Sequence, residues 1–346
     1  MEYDKKNKLH LINDEMTDSV ALVWPNQKMC IAQYDLLENL YCELLVELLQ
    51  HKTNVFLFSD APFPKKARYI EKMFDDRYIT HRKFTSDDIW LRDYCPIQTF
   101  NPTNKKNIFL SYSYNAYGKK YQFENDKRFS DFFLDCINKP EELEFCDNDI
   151  VFEGGNIVNN ANICLINVNC LKQHNKDKDY SEIRDNLELF FKRNIYQQLD
   201  FIDIPPITGD DTNGHIDNLV RFYDDAILIM STNSQSHPDY DKLKKLENQI
   251  YNIGNRNNIK NIIQVKHEHN NIMKNEKNEI LPFSYLNYLK IANTIYMPLT
   301  GNETDNDKVY LKKIFNKDNL IFIHGKQLLA EYGGLHCCSY NWRNFE

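Results

Sequence analysis

A cysteine in the last part of the sequence has the surroundings of a nucleophile. Cys337 follows Gly333 and Gly334, two glycines that leave room for a substrate beside the sulfur. It is one of nine cysteines, most of which we expect to be small buried apolar residues. In a strand, the neighbouring His336 would point to the opposite face, so we look for the partner base elsewhere in the chain.

A histidine and an aspartate offer that base. His215 and Asp217 stand two residues apart, and in a strand both would project from the same face. Imidazole titrates near neutral pH, and a neighbouring carboxylate raises its pKa. His215 is therefore the candidate general acid and base. A structural His–Asp pair would have the same spacing and is the alternative interpretation.

Two further segments combine a carboxylate with a short strand or a turn. Arg92 and Asp93 are adjacent on a strand predicted at residues 89–92, so one side chain can enter a site while the other stays outside. A surface ion pair is the alternative for them. Glu153 precedes two glycines, which allow a close backbone approach or a positive φ. An ordinary turn would have the same sequence.

Short predicted strands alternate with helices along the chain, which places it in the α/β or α+β class. No linker rich in Gly, Pro or Ser divides the sequence, so we expect one domain over residues 1–346. A hairpin is predicted from residues 215–222 and 226–230. Other strand-like runs include residues 20–24, 54–58, 163–166 and 295–297, and helical runs include residues 31–49, 181–191 and 241–250.

Composition and charge exclude several classes of function. The sequence has 42 Lys and Arg residues against 50 Asp and Glu residues, a net charge of −8, and no sustained basic block. Nucleic acid and anionic membranes are therefore not expected as partners. No apolar run approaches the roughly 20 residues of a membrane span, and the charged N-terminus lacks a signal core. The irregular cysteine spacing suits a reducing cytoplasm, where we expect the protein.

His267 and His269 form a pair that could suggest a metal site. They lie in a stretch rich in Asn and Lys, without a third Cys, His or clear set of carboxylate ligands nearby. We therefore expect both to be surface histidines and predict no metal ion.

Taken in order, the four reactive segments form a family pattern. They read Trp-x-Arg-Asp from Trp90, Glu-Gly-Gly-Asn from Glu153, Gly-His-x-Asp from Gly214, and Gly-Gly-x-His-Cys from Gly333. This order and spacing closely resemble the agmatine deiminases and the related bacterial peptidylarginine deiminases, within the guanidino-group-modifying superfamily. The resemblance covers nearly the whole chain. It implies an α/β fold, a five-bladed propeller with pseudo-fivefold symmetry around a central active site.

The resemblance also implies a role for each matching residue. It gives the nucleophile as Cys337, the general acid and base as His215, and the carboxylates that hold the guanidinium as Asp93 and Asp217. Glu153 and Trp90 match positions that line the substrate pocket. Asp210 and Asp211 are available to bind a terminal amine. The implied substrate is a small cationic guanidine, agmatine, with no metal or organic cofactor, and relatives of this kind commonly form homo-oligomers.

Departures from the family pattern leave other functions open. The stretches at residues 157–162 and 338–342 differ from the family and could reshape the pocket around the far end of the substrate. Free or peptide-terminal arginine is therefore an alternative to agmatine, and an amidinotransferase would share the first half of the chemistry. A cysteine amidase with a Cys337–His215 dyad would need oxyanion donors where Asp93 and Asp217 stand. A catalytically silent binding protein is the last alternative.

Overall fold

The structure is a computed structural model that describes residues 8–29, 33–60, 62–74, 76–138, 140–145, 150–267 and 272–344. Strands and helices alternate along these ranges, as the sequence predicts. The strands are β1 (His10–Leu11), β2 (Ser19–Val23), β3 (Asn54–Ser59), β4 (Ile79–Lys83), β5 (Ile97–Asn101), β6 (Lys106–Ser111), β7 (Glu141–Glu144), β8 (Ile157–Asn159), β9 (Ile163–Asn167), β10 (Gln198–Ile202), β11 (Val220–Tyr223), β12 (Ala226–Ser231), β13 (Ile262–Lys266), β14 (Met273–Lys274), β15 (Ile280–Leu281), β16 (Leu289–Ile291), β17 (Thr294–Leu299), β18 (Asn319–His324) and β19 (Ser339–Trp342). The helices are α1 (Tyr34–Gln50), α2 (Lys65–Glu71), α3 (Ala116–Lys119, a single turn), α4 (Phe129–Cys136), α5 (Val168–His174), α6 (Tyr180–Asn194), α7 (Tyr240–Arg256), α8 (Asp305–Ile314) and α9 (Lys326–Ala330).

The periodicity of the sequence predicts most of these elements, with ends that differ by a few residues. The helix predicted at residues 31–49 is α1, whose buried face follows the 3.6-residue period. Its fully buried side chains are Leu37, Leu40, Tyr41, Leu44, Leu45, Leu48 and Leu49. Residues 31 and 32 of that prediction lie outside the described ranges. The predicted hairpin is formed by β11 and β12, but its first strand begins at Val220 and not at His215.

Five of the sheets in the described part of the chain share one pattern of pairing. Each contains an antiparallel pair next to a parallel pair, in the orders β19-β2-β3-β4, β1-β5-β6-β7, β10-β9-β8, β11-β12-β13 and β16-β17-β18. A parallel pair needs a long crossover, which helices such as α1, α7 and α8 supply. The repeated unit is thus a pair of antiparallel strands, a helical crossover, and a strand parallel to the second.

The residues singled out for chemistry lie on short turns and not on strands. The turns are Leu91–Asp93, Gly154–Asn156 and Ile216–Asn218. A backbone N–H closes each turn by donating to the carbonyl three residues earlier, as Asp93 does to Trp90. The predicted strand at residues 89–92 and the predicted strand start at His215 are therefore wrong. Strand alternation does not set the directions of these side chains.

Apolar side chains on both faces of the central strands hold the turns in place. Every residue of β2, β12 and β17 is buried, which fits the nearly continuous hydrophobic runs of these strands. The cluster of buried apolar residues that joins β2, β3 and α1 also includes Cys337. In the described part of the chain, no helix combines the length and the apolar character needed to span a membrane.

Candidate active site

Two neighbouring segments fix the position of the candidate nucleophile. Cys337 lies in the turn at residues 335–338 that leads into β19. Its carbonyl accepts a hydrogen bond from Arg92 N at 3.1 Å, which ties it to the first of the three turns. Asn287 Oδ1 accepts from Cys337 N at 3.2 Å, and Asn287 Nδ2 donates to the sulfur at 3.0 Å. The residue is only 3% exposed, so the thiol is held away from bulk water.

Asp93 is buried and bonded to two donors. It accepts hydrogen bonds from Gly155 N at 3.0 Å and from the Tyr117 hydroxyl at 2.7 Å. Burial raises the pKa of Asp93 to about 7, and the nearby charge of His215 opposes the rise. Asp93 therefore changes its charge close to neutral pH.

Asp217 lies between the sulfur and His336. Asp217 Oδ2 is 3.8 Å from Cys337 Sγ and 2.7 Å from His336 Nδ1. The prediction that His336 points away is wrong, because residues 335–338 form a turn in which strand alternation does not apply. Burial and Arg221 lower the pKa of His336, so the neutral ring donates its Nδ1 proton to the carboxylate. Burial alone would raise the pKa of Asp217, but this hydrogen bond and the nearby charges of His215 and Arg221 together outweigh burial, and the pKa is lowered.

His215 lies between two carboxylates. Its Nε2 is 2.7 Å from Glu153 Oε2, and its Nδ1 is 3.4 Å from Asp93 Oδ1. Burial would lower the pKa of His215, but Asp93 and Glu153 raise it well above its ordinary value, so the ring is a cation. His215 Nδ1 and Asp217 Oδ1 are buried without a hydrogen-bond partner among the described residues. One donor and one acceptor thus remain available for a ligand.

Glu153 joins His215 to a second histidine. Glu153 Oε2 also lies 3.0 Å from His174 Nδ1, and Glu153 Oε1 accepts from Tyr117 N at 2.9 Å. Burial opposes ionisation, but the two histidines lower the pKa of Glu153 to about 2. Burial also opposes protonation of His174, but Cys170 and Glu153 raise its pKa to about 10. Glu153 is therefore a permanent anion that helps to keep His215 protonated.

Electrostatics keep the candidate nucleophile protonated while the site contains no cation. Burial raises the pKa of Cys337 well above its ordinary value, and Asp217 and Asp93 raise it further, while His215 opposes them. A cation bound beside these carboxylates would cancel much of their effect and favour the thiolate. The arrangement therefore couples nucleophile activation to the binding of a positively charged ligand.

Two glycines allow the close contacts of the site. A Cβ added at Gly155 would lie 2.5 Å from His215 Nδ1 and 2.6 Å from Asp93 Oδ1. A Cβ at Gly333 would overlap the indole of Trp90, which packs on the loop ahead of the nucleophile. Neither glycine has a positive φ, so close approach and not backbone freedom requires them.

We expect the substitution Gly155→Ala to lower kcat/KM by at least about 100-fold, because the new methyl group must displace His215 or Asp93 from its position. The test is the rate of the reaction that the family resemblance implies, together with a thermal melt of the folded protein. Gly301→Ala is the control for an added methyl group outside the site, since a Cβ there would meet nothing within 4 Å; its φ of +90° adds backbone strain, which the thermal melt measures separately from activity. A Gly155→Ala enzyme that is as active as the wild type would contradict this geometry.

Asp211 lies at the edge of the cluster. Its Oδ2 accepts from the Tyr121 hydroxyl at 2.7 Å, and its charge acts on His215 and on the neighbouring carboxylate Asp88. Asp210, the other residue predicted to be available, accepts instead from the backbone and side chain of Thr212, two residues along. Asp210 also interacts with the charge of His215, so Asp88, Asp210 and Asp211 are further acidic groups near the reacting residues.

Sequence reasoning missed several residues that the structure brings to the site. Tyr117 bonds Asp93 and Glu153 from a turn whose left-handed residues include Tyr117 itself and Gly118. The glycine was a local signal of that turn, although the partners are 24 and 36 residues away in sequence. Asn287, which donates to the nucleophile, lies in a segment at residues 285–287 that also fits the family pattern, but its position 50 residues from Cys337 gave no sign of this contact.

The histidines considered for a metal behave differently from the prediction. His267 is buried, and burial together with His237 lowers its pKa to about 3, so the predicted surface position is wrong. His269 lies outside the described residues. The pair of potential metal ligands that the sequence did contain is Cys170 and His174, which are four residues apart and therefore lie on one face of α5.

Comparisons with known proteins agree with the motif pattern. The sequence matches the family model described as Porphyromonas-type peptidyl-arginine deiminase over residues 13–342. An agmatine deiminase of Stutzerimonas stutzeri is 24% identical over 294 residues, which cover 76% of both chains. One of Medicago truncatula is 22% identical over 290 residues, which cover 74% of this chain and 76% of the relative.

Solved structures show the same fold. A C. jejuni agmatine deiminase with substrate bound gives a TM-score of 0.79 at 22% identity, and the match covers 96% of each chain. An agmatine deiminase of Enterococcus faecalis gives a TM-score of 0.80 at 14% identity and covers 99% of this chain and 97% of its own. At these identities the likeness establishes the fold, and the chemistry has to be argued from the site.

Proposed function

Because the chain belongs to the Porphyromonas-type peptidyl-arginine deiminase family, we propose that it hydrolyses agmatine to N-carbamoylputrescine and ammonia. One observation carries the proposal: a buried thiol, Cys337, stands beside the carboxylates of Asp93 and Asp217 and a protonated imidazole. A guanidinium is a planar cation rich in N–H donors, and paired carboxylates hold such a group by charge-assisted hydrogen bonds. The unpartnered Asp217 Oδ1 is one acceptor for it.

The first half of the proposed reaction releases ammonia. Binding of the guanidinium drives the thiol proton of Cys337 to solvent, and the thiolate attacks the guanidinium carbon to form a C–S bond. His215 Nδ1 donates its proton to one nitrogen of the tetrahedral adduct. The C–N bond then breaks, ammonia leaves with the bonding electron pair, and an S-alkylthiouronium remains on the sulfur.

The second half regenerates the enzyme. His215, now neutral, takes a proton from a water molecule while the oxygen adds to the thiouronium carbon. The C–S bond breaks, its electron pair returns to Cys337 as thiolate, and the remaining hydroxyl proton passes to solvent. The product is the ureido compound. Side chains of this chain supply the nucleophile, the acid and the base of each step, and burial excludes competing water.

The alternatives that share the cysteine fit the site less well. A neutral amide would need N–H donors where negative charge develops on its oxygen, and the carboxylates of Asp93 and Asp217 would repel that charge. An amidinotransferase would form the same adduct but would pass it to an amine and not to water. Ammonia release without an added amine therefore separates hydrolysis from transfer.

We also propose how the sheets are arranged around the site. The five sheets with a common strand pattern are the blades of a five-bladed α/β propeller, with the site at its pseudo-fivefold axis and one domain over residues 1–346. Three turns support this arrangement, because each lies next to a different sheet and together they bring Asp93, Glu153 and Asp217 to the site. The free thiols suit a cytoplasmic protein.

Incubation of the purified protein with agmatine, arginine and an arginine-containing peptide tests the proposal. Ammonia and ureido product are measured for each compound. Turnover of agmatine with stoichiometric ammonia is the expected result. If no guanidine yields ureido product while the protein is folded, the deiminase proposal is wrong.

The pH profile of kcat/KM provides an independent test of the carboxylates. The pKa of Asp93 is raised to about 7, and only the ionised carboxylate holds the cation, so kcat/KM should fall as the pH drops below about 7. The hydroxyl of Tyr117 lowers the pKa of Asp93 by hydrogen bonding, so Tyr117→Phe should move this acid limb to higher pH. If the acid limb is at the same pH in the wild type and in Tyr117→Phe, it belongs to a group other than Asp93.

Lys120 favours arginine as a second candidate substrate. Its Nζ donates to the Asp211 carbonyl and lies 3.3 Å from Asn213 Oδ1, so a cation that could pair with a carboxylate stands beside the acidic residue. For an agmatine enzyme, we expect Asp211→Asn to raise the KM of agmatine about fivefold, which corresponds to about 1 kcal/mol, with little change in kcat. In the matched variant Lys120→Gln the KM of agmatine should not rise. A rise in the KM of arginine in Lys120→Gln, with arginine the faster substrate, would instead identify an arginine deiminase.

A further inference from the structure

Three side chains of the types that bind metals lie together beside the proposed catalytic histidine, and one of them, Glu153, also contacts that histidine. Cys170, His174 and Glu153 are all buried, and their donor atoms lie within 4.8 Å of one another. We propose that these three side chains bind Zn²⁺, or a similar divalent ion that prefers thiolate, and that the bound ion inhibits deimination. The inhibitory half of the proposal rests on the proposed function, whereas the binding half does not. It also departs from the expectation that the chain binds no metal.

The backbone presents the three donors from two neighbouring elements. Cys170 and His174 are separated by one turn of α5 and project from the same face of that helix. Glu153 faces them from the start of the turn Gly154–Asn156. Two ligands four residues apart on a helix, with a third from another segment, form a convergent set that does not depend on a flexible loop.

The spacing and chemistry of the donors suit a tetrahedral ion. Cys170 Sγ lies 3.6 Å from His174 Nδ1, and His174 Nδ1 lies 3.0 Å from Glu153 Oε2. Ligand atoms about 2.0 to 2.3 Å from a tetrahedral zinc ion stand about 3.5 Å from one another. Sulfur, imidazole nitrogen and carboxylate oxygen together select zinc over magnesium or calcium. The His174–Glu153 pair would move apart slightly to admit the ion, whereas the Cys170–His174 separation already fits.

Binding an ion would replace the 3.0 Å contact between His174 Nδ1 and Glu153 Oε2 with bonds from both side chains to the ion, and the ring would give up its Nδ1 proton. The Cys170 thiol makes long contacts, 3.8 Å to the Thr212 carbonyl and 3.6 Å to His174 Nδ1, and its sulfur also interacts with His215. Asn213 Nδ2 lies 2.9 Å from His174 Nε2. With a metal on Nδ1, the Nε2–H must donate, so the Asn213 amide would turn to present its oxygen and fix the ring.

A bound ion would act on the reaction through Glu153. His215 Nε2 lies 2.7 Å from Glu153 Oε2, the same oxygen that is offered to the ion. A divalent cation there competes for that oxygen, so the contact that holds the imidazole in place would be lost. His215 would then no longer be positioned to act on the departing nitrogen, although Cys337 and the guanidinium carboxylates would be intact.

Cobalt titration of the Cys337→Ala protein tests binding without any enzymatic activity. Removing the Cys337 thiol makes Cys170 the thiol at the site, and Co²⁺ replaces zinc as a spectroscopic probe. We expect a thiolate-to-cobalt absorption band that saturates at about one ion per chain. The band should disappear in Cys337→Ala/Cys170→Ser and persist in the matched control Cys337→Ala/Cys42→Ser, whose substituted thiol is a half-buried residue of α1. A band that is absent, or that survives the Cys170 substitution, overturns the site.

A second variant and an inhibition assay complete the test. In the Cys337→Ala background, His174→Gln should weaken cobalt binding by at least about tenfold, which covers the case in which the Cys170 variant does not fold. Deimination is then measured for the wild type and for Cys170→Ser, both with Cys337 intact, and each protein is compared with its own rate without metal. Zn²⁺ should inhibit the wild type at a lower concentration than it inhibits Cys170→Ser. Equal inhibition of both would overturn the inhibitory role. If the protein deiminates no guanidine, the cobalt result still decides whether the site exists.

Discussion

Replacing Cys337 by alanine is expected to lower kcat for agmatine by at least about 10⁴-fold, because the sulfur itself forms the covalent bond to substrate carbon. The backbone hydrogen bonds of this residue to Asn287 and Arg92 do not involve the side chain and should remain. The variant should therefore fold and still bind agmatine, which would appear as a ligand-dependent rise in its melting temperature. Ammonia release under single-turnover conditions measures the chemical step directly.

The next residue supplies a matched control. Cys338 is also buried, and burial raises its pKa to about 12, so it remains a neutral thiol near neutral pH. Its sulfur donates to the Leu335 carbonyl at 3.5 Å, a contact that a serine hydroxyl can keep. Cys338→Ser should therefore retain activity within about tenfold. Comparable losses in both variants, with both proteins folded, would remove Cys337 from the role of nucleophile.

Substitution of His215 by asparagine should lower kcat by about 10²- to 10⁴-fold, the usual contribution of a positioned general acid and base. The ring has a proton on Nδ1 without a partner among the described residues, and asparagine cannot supply or recover that proton during the cycle. Ammonia release and product formation should both be slow, because His215 serves each half of the reaction. The measurement is kcat with saturating agmatine across the pH range in which the wild type is active.

A variant of His174, the second histidine that contacts Glu153, distinguishes a loss of acid–base chemistry from a loss of ion pairing. His174 contacts the same carboxylate at 3.0 Å, but it has no role in the proposed proton transfers. His174→Asn should therefore lower kcat less than about tenfold in metal-free buffer, a loss that reflects only the altered surroundings of Glu153. Thermal melts of both variants exclude a loss of fold. If His174→Asn is as damaging as His215→Asn, the effect belongs to the buried ion pair and not to proton transfer.

The order of four short segments along the chain, through the family that they resemble, was enough to select the reactive groups. A thiol after two glycines, and an imidazole two residues from a carboxylate, have few alternative interpretations once they occur in the order of a known family. The structure brings Cys337, His215, Asp93 and Asp217 together, as the resemblance implies. Their catalytic roles stay predictions until the variants are measured.

Hydrophobic periodicity also determined most of the secondary structure. The 3.6-residue period predicts α1, and continuous apolar runs predict strands such as β12 and β17, because these patterns follow directly from which faces are buried. The strands predicted at residues 89–92 and from His215 failed for the opposite reason. Those segments are short turns closed by hydrogen bonds of their own backbone, and their direction is set by contacts with distant segments.

Only the tertiary structure decided which groups act on which. Asp217 approaches Cys337 across 120 residues of sequence, and Glu153 approaches His215 across 62. The short spatial distances between these groups and the burial of the partners fix the charge states: a cationic His215, an anionic Glu153 and a neutral thiol. The sequence determined the reactive groups and most of the helices and strands around them. The fold determined their electrostatics, because interactions between charges depend on separation and solvent exposure, which the order of residues along the chain does not specify.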